Sequence, residues 1–281
     1  MNVGDALARA RKALTEAGID SAALDARLLV AAALGVSVER VIAWPEQEVA
    51  AEAAGRLEAL LRRRVAREPM AQILGHREFW SLDFAVTRDV LTPRPDSETL
   101  IQAVLDQSPD RTRALAILDL GVGSGCLLLT LLRELPHARG VGVDASAAAL
   151  GVAQQNAERL GLAGRVRLVH GDWLADVRER FDVIVGNPPY IRTRDLEQLA
   201  PELKYEPRAA LDGGADGLAA YRAIAPELHR ALAPGGFACV EIGHDQAADV
   251  AAILRAAGLD AYRRDTDLSG RDRCLSARPA R

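Results

Sequence analysis

From about residue 112 onward, short apolar runs alternate with helix-length stretches, and this alternation leaves the chain very few folds. The runs are "ALAILDL", "RGVGVD", "RVRLVHGD", "FDVIVGN" and "GGFACVEIG". Interleaved with or following them are "GCLLLTLLREL", "SAAALGVAQQNAERLG", "GLAAYRAIAPELHRAL" and "DQAADVAAILRAAG". Strands buried on both faces read as continuous apolar runs, and strands joined through helices lie parallel with helices on both faces. The expected class is therefore α/β. The tail "AYRRDTDLSGRDRCLSARP" has Ser269-Gly270 between two extended stretches, and it is expected to add a final antiparallel pair.

The first 75 residues follow another period. Val3, Leu7 and Leu14 fall on one helical face, as do Leu24, Leu28 and Ala31, and Leu57, Leu60, Leu61 and Val65 form a further stripe. Gly18, Gly35 and Pro45 punctuate these stretches, so a small all-α bundle is expected. In "FWSLDFAVTRDVL", Leu82, Phe84 and Val86 alternate with Ser81, Asp83 and Ala85, the period of a strand. Pro93 and Pro95 interrupt regular structure, and Asp96 or Ser97 is suited to cap a helix beginning near Glu98. The domains expected are a helical domain over 1–75, a hairpin and linker over 76–95, and the α/β domain over 96–281.

Composition narrows the function classes. Of 281 residues, 49% are apolar and 26% charged, and no apolar run approaches the roughly 18 residues that span a bilayer. "MNVGDALARARKALTEAG" is charged throughout and lacks a signal peptide's apolar centre, so the chain reads as cytoplasmic. Cys126, Cys239 and Cys274 are odd in number and far apart, and the five histidines are scattered, which supports neither a disulfide framework nor a metal site. The net charge of −4 gives no global basic field for a duplex. Arg62, Arg63, Arg64 and Arg67 form the best local candidate for one, and read mainly as a solvated helix face.

In open α/β sheets ligands bind beyond the carboxyl ends of the strands. The first such end is "DLGVGSGC". Gly121, Gly123 and Gly125 allow a tight turn close to a ligand, with Val122 and Ser124 between them. The spacing is not that of a dinucleotide loop, and Asp119 would oppose a pyrophosphate, so a ligand with a cationic part is expected. Asp144 ends the next strand about 20 residues after the first glycine, where an acid can accept from both hydroxyls of a ribose. The third end is "GDWL": Asp172 can accept from an adenine amino group and Trp173 can cover the ring. Adenosine, a cationic end and no pyrophosphate loop together suggest S-adenosylmethionine.

The fourth strand end is "NPPY". Proline fixes its own φ, and Pro189 biases Pro188 towards an extended geometry. The Asn187 side-chain carbonyl and the Pro188 backbone carbonyl can then point into one cleft as paired acceptors, a match for a planar –NH₂ group. Such a nitrogen is a poor nucleophile because its lone pair is delocalised. Two acceptors on its hydrogens favour the geometry reached as a C–N bond forms, which is stabilisation aimed at the transition state. Tyr190 can stack over the planar group. Adenine N6, guanine N2 and a glutamine amide all present this group, and the tetrapeptide alone does not choose among them.

The stretches "GHREFWSLDFAV", "VLTPRPDSETLI", "LDLGVGSGCLLL", "VDASAAALGVAQQNAERLGL", "FDVIVGNPPYI", "YEPRAALDGGADGLAAYRAI", "GGFACVEIG" and "DLSGRDR" resemble the release-factor glutamine N5-methyltransferase family (HemK/PrmC) along nearly the whole chain. The family pattern has threonine where Val122 stands. The resemblance implies a small helical domain joined to a seven-stranded, Rossmann-like class I methyltransferase domain that uses S-adenosylmethionine. It implies as substrate the glutamine of the Gly-Gly-Gln motif in peptide chain release factors. Cofactor contacts map onto Gly121 to Gly125, Asp144, Trp173 and Asn187, and substrate contacts onto Asn187, Pro188 and Tyr190. It favours a gripping role for the helical domain. A monomer without direct nucleic-acid or membrane partners is expected. The alternative is an RNA or DNA amino-methyltransferase.

Overall fold

A computed structural model describes residues 1–280. The chain divides into two compact units, Met1–Gly75 with Ala200–Tyr205, and His76–Leu199 with Glu206–Arg281.

The first unit holds α1 (Val3–Glu16), α2 (Ala22–Leu34), α3 (Val38–Ala43), α4 (Ala51–Val65) and α5 (Met70–Leu74). A reciprocal capping box between Asn2 and Asp5 starts α1, and Gly35 in the left-handed conformation ends α2. Val3, Ala6, Ala10 and Leu14 of α1 pack with Leu29 and Val30 of α2 and with Leu57 and Leu61 of α4. Two stripe positions depart from expectation, since Leu24 is 54% and Val65 41% exposed. The buried stripe of α2 runs instead through Ala22, Ala26, Leu29 and Ala33, a helical spacing that turns Leu24 outward.

Only part of the arginine cluster is a solvated face: Arg62 and Arg63 are exposed, but Arg64 is turned inward. Arg64 is only 6% exposed, and its Nε donates to buried Asp25 at 2.8 Å. Its Nη1 donates to Glu202 at 3.0 Å, and Arg67 donates to the same oxygen at 3.2 Å. Arg63 pairs with Glu68 at 2.6 Å. Tyr205 Oη donates to the Ala66 carbonyl, and Gln72 Nε2 donates to the Tyr205 carbonyl, so the downstream segment 200–205 is held by side chains of this unit.

The second unit opens with a hairpin, β1 (His76–Phe79) and β2 (Leu82–Ala85), turned through Trp80 and Ser81, both at positive φ. Then come α6 (Glu98–Gln107), β3 (Ala116–Leu120), α7 (Cys126–Glu134), β4 (Arg139–Asp144), α8 (Ala147–Arg159), β5 (Val166–His170) and β6 (Phe181–Gly186). The chain ends with α9 (Ala219–Ala231), β7 (Leu232–Glu241), α10 (Ala247–Ala256), β8 (Leu259–Thr266) and β9 (Asp272–Pro279). Seven strands form one sheet in the order β5-β4-β3-β6-β7-β9-β8, parallel from β5 to β7 and antiparallel in the last two pairings. The expected final antiparallel pair is thus β8 and β9.

One apolar layer gathers Leu100, Ile101, Leu128, Leu131 and Ala153 from α6, α7 and α8. The other gathers Tyr221, Ile224, Val250 and Leu254 from α9 and α10. The strand order reverses direction between β3 and β6, which makes a topological switch point. There Leu120 pairs with Gly186, so the turn after β3 and the turn after β6 emerge side by side. A Cβ on Gly186 would lie 3.0 Å from the Leu120 carbonyl oxygen, and glycine keeps the two strand ends close.

Among the described residues no helix is long and apolar enough to cross a membrane, and no group of His, Cys, Asp and Glu could hold a metal ion.

Candidate active site

At the switch point the chain leaves β3 through three glycines at positive φ, +73° at Gly121, +52° at Gly123 and +82° at Gly125. Gly121 N and Val122 N both donate to the Val143 carbonyl at 2.9 Å, which folds the turn against the end of β4. The Asp144 carboxylate accepts from Gly123 N and from Ser146 N, each at 2.9 Å. The helix cap of α8 is supplied by Ser146, whose Oγ accepts from Ala149 N, so Asp144 is not a capping residue. A carboxylate has more acceptor capacity than two such bonds use. Past β5, Trp173 takes φ +48°, a conformation that costs a bulky residue of order 1–3 kcal/mol. It lies against the glycine turn, 3.6 Å from where a Cβ on Gly121 would stand.

Asp119 is 1% exposed. Its Oδ2 accepts from Leu128 N at 3.2 Å, whereas Oδ1 has no hydrogen-bond partner. Burial, with a smaller contribution from the charge of Asp144, pushes its pKa up to about 7. A buried acid with one empty oxygen favours a positively charged or hydrogen-donating neighbour.

The glycine turn, Asp144 and Trp173 border a cavity of about 410 Å³, within the usual range for a small-molecule cofactor. Of the residues singled out in the sequence, Gly121, Val122, Gly123, Ser124, Asp144, Asp172, Trp173, Asn187 and Pro189 line it. Asp119, Gly125, Pro188 and Tyr190 are not among the lining residues. The far wall comes from the "TPRPDS" stretch (Thr92, Pro93, Arg94, Ser97) and the "EPRAA" stretch (Pro207, Ala209, Ala210). Arg94 Nη2 donates to buried Glu206 at 2.7 Å and ties the two stretches together.

Asn187 stands at the end of β6, with its Nδ2 donating to Ser97 Oγ at 3.2 Å. That leaves Oδ1, the acceptor end of the carboxamide, for the cavity. Ser97 sits at the expected cap position of α6 but has helical backbone angles and makes no cap bond; its hydroxyl donates to Glu241 at 2.5 Å. Tyr190 packs its ring against the α9–α10 layer and donates its hydroxyl to Glu241 at 3.3 Å. The tetrapeptide is also held from behind. Gln246 Nε2 donates to the Tyr190 and Gly217 carbonyls at 3.1 and 3.2 Å. Gly213 N donates to the Ile191 carbonyl at 2.8 Å, and Cβ atoms on Gly213 or Gly217 would collide with the backbone of Pro189 or Tyr190.

Four residues of this framework carry no sequence signal of their own. Ser97 is visible only as a cap candidate, and Glu241 only as the polar end of an apolar run. Asn156 is fully buried on α8; it accepts from Ala85 N and donates to the carbonyls of Ala85 and Ser124, which joins the hairpin to the glycine turn. Gln246 is the fourth.

Two family models match the chain, the PrmC N-terminal domain over residues 5–75 and the methyltransferase small domain over 95–214. A "Release factor glutamine methyltransferase" of Cereibacter sphaeroides is 48% identical over 279 residues, 99% of each chain. One of Caulobacter vibrioides is 47% identical over 268 residues, 95% of this chain and 92% of that one. A solved methyltransferase from Pyrococcus furiosus shares the fold alone, at 16% identity and a TM-score of 0.53, covering 82% of this chain and 100% of that one. An Asn-Pro-Pro-Tyr turn beside a glycine turn could serve many amino groups, but relatives this similar over their full length narrow the kinship: the chain belongs to the release factor glutamine methyltransferase family.

Proposed function

We propose that the protein transfers a methyl group from S-adenosylmethionine to the side-chain amide N5 of the glutamine in the Gly-Gly-Gln motif of peptide chain release factors. The observation that carries this reading is Asn187, pinned through Nδ2 at the switch point with its carboxamide on the wall of a cofactor-sized cavity.

When bound, S-adenosylmethionine supplies an electrophilic methyl on a sulfonium. The residues fit it. The unpaired Asp119 oxygen suits its cationic amino-acid end, and Asp144 retains acceptor capacity for the ribose hydroxyls. Asp172 and Trp173 are assigned to the adenine amino group and ring, beside the glycine turn on the cavity wall. Asn187 Oδ1 and the Pro188 carbonyl accept from the two hydrogens of the glutamine amide, which draws its lone pair out of conjugation. The same acceptors fix the nitrogen's direction of approach, a positioning contribution. The surplus proton is lost from the methylated nitrogen without a dedicated base, because N-protonated amides are strongly acidic.

The helical unit is assigned a grip on a second face of the release factor. Three of its four clustered arginines, Arg63, Arg64 and Arg67, are held in ion pairs with Asp25, Glu68 and Glu202, which reduces the basic face that a nucleic-acid substrate would use. The enzyme is assigned to the cytoplasm as a monomer.

The test is methyl transfer from labelled S-adenosylmethionine to a purified release factor and, in parallel, to total RNA and DNA, with mass mapping of the labelled position. Label on the Gly-Gly-Gln glutamine is expected. Label in nucleic acid alone would overturn the substrate assignment.

A further inference from the structure

The Asn187 carboxamide is nearly symmetric in shape, but its two ends are chemically opposite. If it flips, a donor rather than an acceptor meets the substrate amide. Something must choose the face. Ser97 Oγ is 2.5 Å from Glu241 Oε2 and 3.2 Å from Asn187 Nδ2. A hydroxyl has one proton. While Glu241 is a carboxylate it can only accept, so the proton of Ser97 is committed to it. Ser97 then presents a lone pair to Asn187, only the NH₂ end of the carboxamide can face it, and Oδ1 is turned away. Tyr190, donating to the other Glu241 oxygen, is oriented by the same carboxylate.

We infer that Glu241 and Ser97 are positioning residues, which together fix the donor–acceptor polarity of Asn187 and so set the acceptor that the substrate amide meets. The inference rests on the function proposed above. Neither residue needs to touch the substrate, and neither is a catalytic residue.

The charge state of Glu241 follows from its surroundings. It sits at the end of β7 and is 1% exposed. From the turn before α6 it faces Ser97 and Asp96; from the loop after β6, Tyr190; from β9, Arg273 and Cys274. From α9 it faces Tyr221, whose hydroxyl donates to the Glu241 backbone carbonyl at 2.8 Å, and from α7 Cys126. Arg273 is the only cation among them, and it is itself paired with Asp267 and Asp96. Burial outweighs the stabilising bond from Ser97 and the charge of Arg273, and pushes the Glu241 pKa up to about 7. Below that value Glu241 carries a proton that it can donate to Ser97. Ser97 can then donate to Asn187, and the carboxamide can flip. The competent form is the ionised one, so activity rises with pH through about 7.

The experiment measures methyl transfer to a purified release factor by wild type, Ser97→Ala, Ser97→Thr and Glu241→Gln, at pH values from about 6 to about 8.5. Cofactor affinity is measured by calorimetry on each protein. Ser97→Ala is expected to lower kcat roughly tenfold with cofactor affinity unchanged, the size of one preorganising hydrogen bond. Ser97→Thr restores the hydroxyl and should recover most of that loss. Glu241→Gln should flatten the rise around neutral pH, a readout that a merely structural role would not move. Should that variant fail to fold, the Ser97 pair together with the wild-type profile decides. Unchanged kcat in Ser97→Ala, no recovery in Ser97→Thr, or a wild-type profile flat through neutrality would overturn the inference. If the wild type left the release factor unmethylated, the proposed function would fail instead.

Discussion

The two units differ in how fully they close buried charge, although the α/β unit also holds closed pairs, Glu206 with Arg94 and Asp267 with Arg273. In the helical unit the buried Arg64 meets buried Asp25 and also Glu202, so the charge is closed within the chain. In the α/β unit two buried acids remain incomplete or poised. Asp119 has an oxygen with no partner, and Glu241 is held near neutrality by burial. A buried ion pair completed by its own chain serves architecture, and removing one partner is costly because the other is stranded. A buried acid left incomplete is poorly explained by stability, since it is a cost unless a ligand or a reaction uses it. The contrast separates scaffold from site without reference to any motif.

Four measurements would break or sharpen this contrast. The largest effect is expected on stability in the helical unit: Asp25→Ala should cost about 3–5 kcal/mol in a denaturant titration, as for other severed buried pairs. The double variant Asp25→Ala/Arg64→Leu should regain much of it, whereas an Asp25→Ala protein as stable as wild type would end the contrast. Next, Asn187→Ala should lower methyl transfer by on the order of 10²–10³ while keeping most of the cofactor affinity. Wild-type turnover in that variant would refute the acceptor role. Asp144→Ala should raise the cofactor Kd roughly 10–100-fold, by loss of charge-assisted bonds; calorimetry that shows no change would remove the ribose assignment. The smallest effect is expected at Arg62, an exposed member of the arginine cluster, where Ala should alter stability by less than about 0.5 kcal/mol. A larger loss would show that the cluster acts as one network.

The sheet was legible because each strand carries its own apolar run and each helix its own period. The strand-end turns were legible for the same reason: Gly121, Gly123, Gly125, Asp144 and Asn187 stand in local patterns whose chemistry is intrinsic to the residues. The support behind them was not. Ser97 and Glu241 are 144 positions apart, Ala85 and Asn156 71, and Tyr190 and Gln246 56. Nothing in a serine or glutamine announces a partner so far along the chain, because such pairs are fixed by sheet order rather than by neighbours. Local pattern also misled at Arg64. Its spacing suits an outward helix face, but Asp25 on α2 draws it inward. The same holds for Ser97, which makes no cap bond to α6 and donates its hydroxyl to Glu241.

The glycines of "LDGGADGL" bear on how far this enzyme could be redesigned. A Cβ on Gly213 would stand 2.8 Å from both the Pro189 carbonyl oxygen and the Tyr190 Cα. One on Gly217 would stand 2.6 Å from Gln246 Nε2, closer still to the Tyr190 carbonyl oxygen, and on a backbone at φ +79°. The tetrapeptide is therefore sheathed from behind by chain that can accept almost no added atoms. Libraries aimed at new amide substrates should leave 213–217 fixed and place their diversity at 207–210, on the cavity's far wall. The reacting centre would then be inherited unchanged while its surroundings evolve.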